Sequence, residues 1–160
     1  MRFEKDIVFV LNKDIVSKLN KYIHKSYPNE ACGFLLGNII ESSNHGDFKY
    51  TYCCEKIQSI ESSIISPASF LLDNDEKILE LSNIMIKEEG LKLIAVFHSH
   101  PSGANPSDID KKRMKYFHNC GIKKFTHLVW IIVDSSNQKI NGFIYLDNKL
   151  TQIKIEVIED

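Results

Sequence analysis

Two rhythms of hydrophobic and polar residues run along this chain. Between Asn12 and Pro28 the apolar residues Ile15, Val16, Leu19, Tyr22 and Ile23 recur every three or four places, which puts them on one face of a helix. Asn12 can cap its first turn and Pro28 ends it. A longer helical pattern covers residues 71–89, with Ile78, Leu81 and Met85 on one face and Gly90 as its stop. A further helix is expected from about Ser107. Elsewhere the rhythm is that of strands: residues 7–11, "ACGFLLGNII", "FKYTYCCEKI", "KLIAVFHSH", "HLVWIIVD", "INGFIYLD" and "TQIKIEVIE". A turn around Asn44, His45 and Gly46 joins the second and third of these into a hairpin, and the Ser-rich "QSIESSIISPAS" reads as a loop. "KLIAVFHSH" starts as a run buried on both faces. With no internal repeat and no domain boundary, the pattern predicts one α+β domain over residues 1–160, a mixed sheet with helices packed on it.

Composition narrows this picture without redirecting it. At 160 residues, 43% apolar and 26% charged, the chain can bury one good core and is not of the disordered class. A net charge of -1 offers no field for nucleic acid or an anionic membrane. No apolar run approaches the roughly 20 residues of a membrane span. The opening "MRFEKDIVFV" carries charges where a signal peptide needs its apolar segment, so a cytoplasmic protein is expected. Cys32, Cys53, Cys54 and Cys120 form no C-x-x-C pair, and adjacent Cys53 and Cys54 would face opposite sides of a strand. They read as ordinary reduced thiols.

The chemistry concentrates in "IAVFHSHPSGANPSDID", residues 94–110, which holds two of the chain's six histidines. Residues two apart on a strand share a face, so His98 and His100 can present both imidazoles to one point. Imidazole nitrogens at about 2.0–2.1 Å suit zinc, which in catalytic sites takes a third protein ligand and a water. Asp110, in the first turn of the next helix, is the natural third ligand, with Asp108 as its rival. Plainer readings exist. Paired histidines can be a polar edge, and Ser107 with Asp110 three places on resembles a capping box. Capping and metal binding are compatible, because a capped turn holds the Asp rigidly. A zinc-bound water wants a general base. Glu30, just before an apolar strand, is a candidate, although spacing alone fits a solvated loop carboxylate equally well.

Combined, Glu30-Ala31-Cys32-Gly33 within E-x-C-G-x-L-x-G, His98-Ser99-His100-Pro101, and Ser107 through Asp110 resemble the JAMM (MPN-plus) metalloproteases in their small, stand-alone prokaryotic form. The order of elements agrees over nearly the whole chain. The resemblance implies an MPN/JAB fold, cytidine-deaminase-like, whose mixed and partly barrel-like sheet is flanked by helices. It implies His98, His100 and Asp110 as ligands of one Zn2+ per chain. Glu30 is then the base toward the zinc's water and the acid to the leaving amine, while Ser107 stabilises the tetrahedral oxyanion. One departure stands out: the loop "PSGANP" between His100 and Ser107 is a residue shorter than in the family.

The function this implies is zinc-dependent peptidase or isopeptidase cleavage after the C-terminal Gly-Gly of a ubiquitin-like or sulfur-carrier protein of β-grasp fold. The enzyme would act as monomer or homodimer, without nucleic-acid or membrane partners. The alternative is a non-catalytic MPN-type interaction scaffold, but such members typically lack the Glu or the histidines kept here. DNA-repair-associated relatives share an H-x-H-P-S-G loop and carry a helical DNA-binding region for which this length leaves no room. "KKRMK" (residues 111–115) reads as a solvated helix face, or else as a docking patch for an acidic partner. His24, His45, His118 and His127 lack partners at ligand spacing.

Overall fold

The first helix starts where the sequence places its cap. Strand β1 (Ile7–Asn12) runs directly into α1 (Lys13–Ser26), and the Asn12 side chain accepts the Ile15 N–H at 2.8 Å. Such a cap is worth about 1 kcal/mol. Ile15, Leu19 and Ile23 form the buried stripe that the spacing predicts. The computed structural model describes residues 6–44, 46–60, 80, 83, 87, 90–119 and 127–159.

After α1 come β2 (Cys32–Asn44), β3 (Asp47–Ile60), β4 (Lys92–His100), α2 (Asp108–Asn119), β5 (Val129–Asp134), β6 (Ile140–Leu146) and β7 (Lys149–Ile158). The strands close into a barrel in the order β1-β3-β2-β4-β5-β6-β7, with β7 returning to β1. Pairing of β1 with β3 and with β7 is parallel, as is that of β4 with β5; the remaining pairs are antiparallel. A parallel pair needs a crossover, and α2 lies in the one between β4 and β5.

Two apolar cores share the sheet. One gathers Ile15, Leu19 and Ile23 of α1 with Phe9, Leu35, Phe97 and Ile131. The other gathers Met114 and Phe117 of α2 with Phe34, Val96, Trp130 and Ile132. Chain neighbours such as Ile131 and Ile132 fall in different cores, as the alternation of a strand requires. His98 and His100 follow Val96 at spacing two, so they emerge on the α2 side.

Gln58, Ser59 and Ile60, expected in a loop, belong to β3 and pair with Phe34, Gly33 and Cys32. Their polar composition hides the strand, whose reason lies in the partner. At Gly33 a Cβ would stand 2.3 Å from the Gln58 carbonyl oxygen and 2.6 Å from the Phe97 ring. Only glycine lets the three strands come this close. Of the expected long helix, Glu80, Asn83 and Lys87 are helical and exposed, which suits its polar face. Ile78, Leu81, Met85 and the rest of the Ser-rich loop lie outside the described residues, as do His45 and Cys120. Cys32, Cys53 and Cys54 are free thiols, and burial pushes Cys32 up to about 11 and Cys54 up to about 12. Among the described residues no helix is long and apolar enough to cross a membrane.

Candidate metal centre

Strand geometry and a helix cap together build the site. At the end of β4, His98 and His100 turn their Nε2 atoms to within 3.2 Å of each other. At the start of α2, Ser107 and Asp110 grip one another. The Asp110 N–H donates to Ser107 Oγ at 3.1 Å, and the Ser107 N–H donates to Asp110 Oδ2 at 2.9 Å. This is the capping-box logic with an Asp in place of the Glu. Asp110 lies on the buried side of α2 with Met114 and Phe117, whereas Asp108 points to solvent. The cap and the helical phase together aim Asp110 at the histidines. Its Oδ2 stands 3.2 Å from His98 Nε2 and 3.1 Å from His100 Nε2.

The three donors meet a simple test of fit. Ligand atoms about 2.0–2.1 Å from a tetrahedral zinc stand about 3.3 Å from one another. The separations here are 3.2, 3.2 and 3.1 Å, so the trio already describes one face of such a tetrahedron. Two imidazoles and a carboxylate form a set that leaves a fourth position open. His98, His100 and Asp110 are the group among the described residues that could hold a metal ion. The His98 Nδ1 is buried with no hydrogen-bond partner among the described residues.

Electrostatics follow the geometry. Burial alone would raise the Asp110 carboxyl. The hydrogen bonds with His100 and His98, the His98 charge and the Ser107 amide outweigh it and hold Asp110 well below the usual carboxylate range. His100 is raised, first by its hydrogen bond with Asp110; burial opposes this, and the charges of Asp110, Glu30 and Asp134 reinforce it.

Glu30 reaches the site through strand register. Cys32 pairs with His98 across β2 and β4. One step further out, the Ser99 N–H donates to the Ala31 carbonyl at 3.0 Å, and the Ala31 N–H donates to Ser99 Oγ at 2.8 Å. Continued by one residue, the register sets Glu30 level with His100. Glu30 is half-buried there, and its charge acts on both His100 and Cys32. The Ser between the two histidines thus ties the Glu30 segment to them, a part that sequence reasoning missed. It also missed Asp134, in register with His100, and the buried Asn141. Strand alternation could have flagged Ser99, but nothing local marks the other two.

Other sequence features lie apart from the trio. The rings of His118 and His127 stand 5.8 Å apart, and His118 packs on Tyr145. The basic run on α2 divides: Lys111, Lys112 and Lys115 are exposed, while Arg113 and Met114 are buried. It is therefore not wholly a solvated face.

The solution structure of protein DSY2949 from Desulfitobacterium hafniense has a similar fold. Its TM-score is 0.66 at 22% identity, covering 96% of this chain and 94% of that one. None of the curated proteins matches. A family model described as prokaryotic homologs of the JAB domain matches residues 12–143, from the α1 cap into β6. That span takes in Glu30, both histidines, Ser107 and Asp110, and the chain belongs to this family of prokaryotic JAB domains.

Proposed function

We propose that this chain is a zinc-dependent peptidase or isopeptidase that cleaves after the C-terminal Gly-Gly of a ubiquitin-like or sulfur-carrier protein. The observation that carries the reading is the convergence of His98, His100 and Asp110 at tetrahedral spacing, with Glu30 level beside them. His98, His100 and Asp110 would hold the zinc ion, which would supply Lewis acidity, lowering the pKa of a bound water toward about 7 and polarising the scissile carbonyl. Glu30 takes a proton from the attacking water and passes it to the departing amine. Ser107 Oγ accepts the Asp110 N–H through a lone pair. Its own proton is free to donate to the developing oxyanion. Ser107 is exposed, so a substrate can reach it.

The substrate's tail needs an extended path. Around the histidines β2 and β4 are each paired on both sides, which leaves no edge for strand addition there. On β3 the pairing with β1 covers Tyr50 to Cys53, so the outer edge of residues 54–60 has no partner among the described strands. That edge is separated from the histidine strand by β3 and β2 themselves, so a diglycine tail that reaches the metal centre does so without adding to the described sheet.

The test is zinc per chain in wild type, Asp110→Ala and Asp108→Ala, followed by cleavage of a β-grasp protein joined through Gly-Gly to a reporter. The expectation is near one zinc per chain, lost only with Asp110, and cleavage abolished when either glycine becomes Leu. A wild type that takes up no zinc after reconstitution would instead support the non-catalytic scaffold.

A further inference from the structure

The six-residue loop "PSGANP" joins the histidine strand to the helix that carries Asp110. Ser102, Gly103 and Asn105 are exposed, and Gly103 sits at φ +89. Left to itself such a loop would sample many paths. Two side chains from neighbouring strands hold it. Asp134, the last residue of β5, accepts the Gly103 N–H on Oδ2 at 2.8 Å and the Ser136 N–H on Oδ1 at 2.8 Å. The Ser136 hydroxyl also donates to Oδ1. Asn141, buried on β6, donates its side-chain amide to the Ala104 carbonyl at 3.1 Å, and Ala104 is itself buried. The strand end is fastened too, because the Ser135 N–H donates to the His100 carbonyl at 2.9 Å.

The loop is thus gripped at adjacent residues by an acceptor on one strand and a donor on the next. Only Asn105 and Pro106 then separate the grip from Ser107, whose N–H holds the Asp110 carboxylate. Asp134 does not join the three converging donors; its oxygens face the loop and the turn.

Building on the metal-site reading above, we propose that Asp134 and Asn141 are positioning residues of that site. They set the path of the loop so that the Ser107–Asp110 turn meets the two histidines. Neither touches substrate or metal. They act through the backbone of Gly103 and Ala104, so their loss loosens the third ligand while the histidines stay in place.

The full-length metal-free protein, labelled with 15N, provides the first readout: amide exchange at Ser107 and Asp110. Zinc affinity, measured by competition with a chromophoric chelator, provides the second. Asp134→Asn keeps the shape but puts an amide where Gly103 needs an acceptor, and Asn141→Ala removes the donor. Asn137→Ala is the control, because Asn137 Oδ1 accepts the Lys139 N–H within the same β5–β6 turn, while the Asn137 backbone N–H that meets Asp134 is kept in the variant. In the first two variants, exchange at Ser107 and Asp110 should quicken while that at Ile153 stays slow, and zinc should bind about 10- to 100-fold more weakly. Asn137→Ala should change neither. Wild-type exchange and affinity in both loop variants, or equal losses in Asn137→Ala, would overturn the proposal. If wild type binds no zinc, the exchange data still decide the clamp, and it is the metal reading that falls.

Discussion

Ser107→Ala separates two jobs that one hydroxyl performs. The Ser107 N–H still donates to Asp110 Oδ2 at 2.9 Å, but the oxygen that accepts the Asp110 N–H at 3.1 Å is gone. Replacing a capping Ser by Ala costs about 1 kcal/mol, which for a chain of this size lowers Tm by about 2–4 °C. Asp110 keeps its burial and its backbone donor, so zinc per chain should stay at the wild-type level. The rate is a separate matter, since losing one oxyanion donor costs about 100- to 1,000-fold in kcat. Ser107→Gly discriminates, because Gly at a cap costs only a few tenths of a kcal/mol. Its Tm should sit near wild type and its kcat as low as that of the Ala variant. Thermal melts, metal analysis and single-turnover cleavage of a diglycine-linked substrate measure the three quantities. A Gly variant that cleaves at the wild-type rate, or a kcat that falls only as zinc is lost, would leave Ser107 as a cap and nothing more.

Two other perturbations test the frame around the site. Gly33→Ala forces a Cβ against the Gln58 carbonyl and the fully buried Phe97 ring, neither of which can retreat. Overpacking of this kind costs about 1–3 kcal/mol, or about 2–12 °C of Tm. A melt unchanged from wild type would show that β2 has room to give. The pH dependence of metal-free protein tests the ligand cluster. His100 is raised, so its contribution to stability is present below about pH 6.5 and is lost as pH rises through the raised value. Asp110 is depressed, so its contribution is present above about pH 3.9 and is lost as pH falls. His127, held down by burial and by His118, works against His100. The comparison is therefore with His100→Gln: Tm should fall more from about pH 6.5 to 8 in wild type than in the variant. Identical profiles would remove the assignment.

What the sequence disclosed, it disclosed locally. His98 and His100 share a face because strands have period two, and Asp110 is aimed by a cap three residues away. Both are short-range facts of covalent geometry. The burial of Asp110 over Asp108 follows from helical phase, and that same phase buries Arg113 inside a run that composition alone paints as solvated. Glu30 is different: the register that sets it beside His100 joins β2 to β4 across the intervening hairpin and helix, and no spacing rule reports it. The family resemblance supplied that link before the strand pairing did. Asp134 and Asn141 stayed invisible because their work is done on backbone atoms far along the chain, which leave no mark on residue pattern. The tail of β3 was misread because its pairing answers to Gly33 and Cys32 on another strand rather than to its own polar side chains.

Closure of the barrel also dictates an order of events at birth. The seam between β1 and β7 pairs Val8 with Lys154 and Asn12 with Ile158, so β1 waits for β7. On the ribosome, β1 can pair with β3 early, but its other edge stays bare until β7 emerges. Contacts so distant in sequence slow folding, and an unpaired edge is a template for another chain. A nascent chain stalled before Lys149 would hold an open sheet with two raw edges, β1 and β6. The ten residues of β7 turn that liability into a sheet with no ends at the seam.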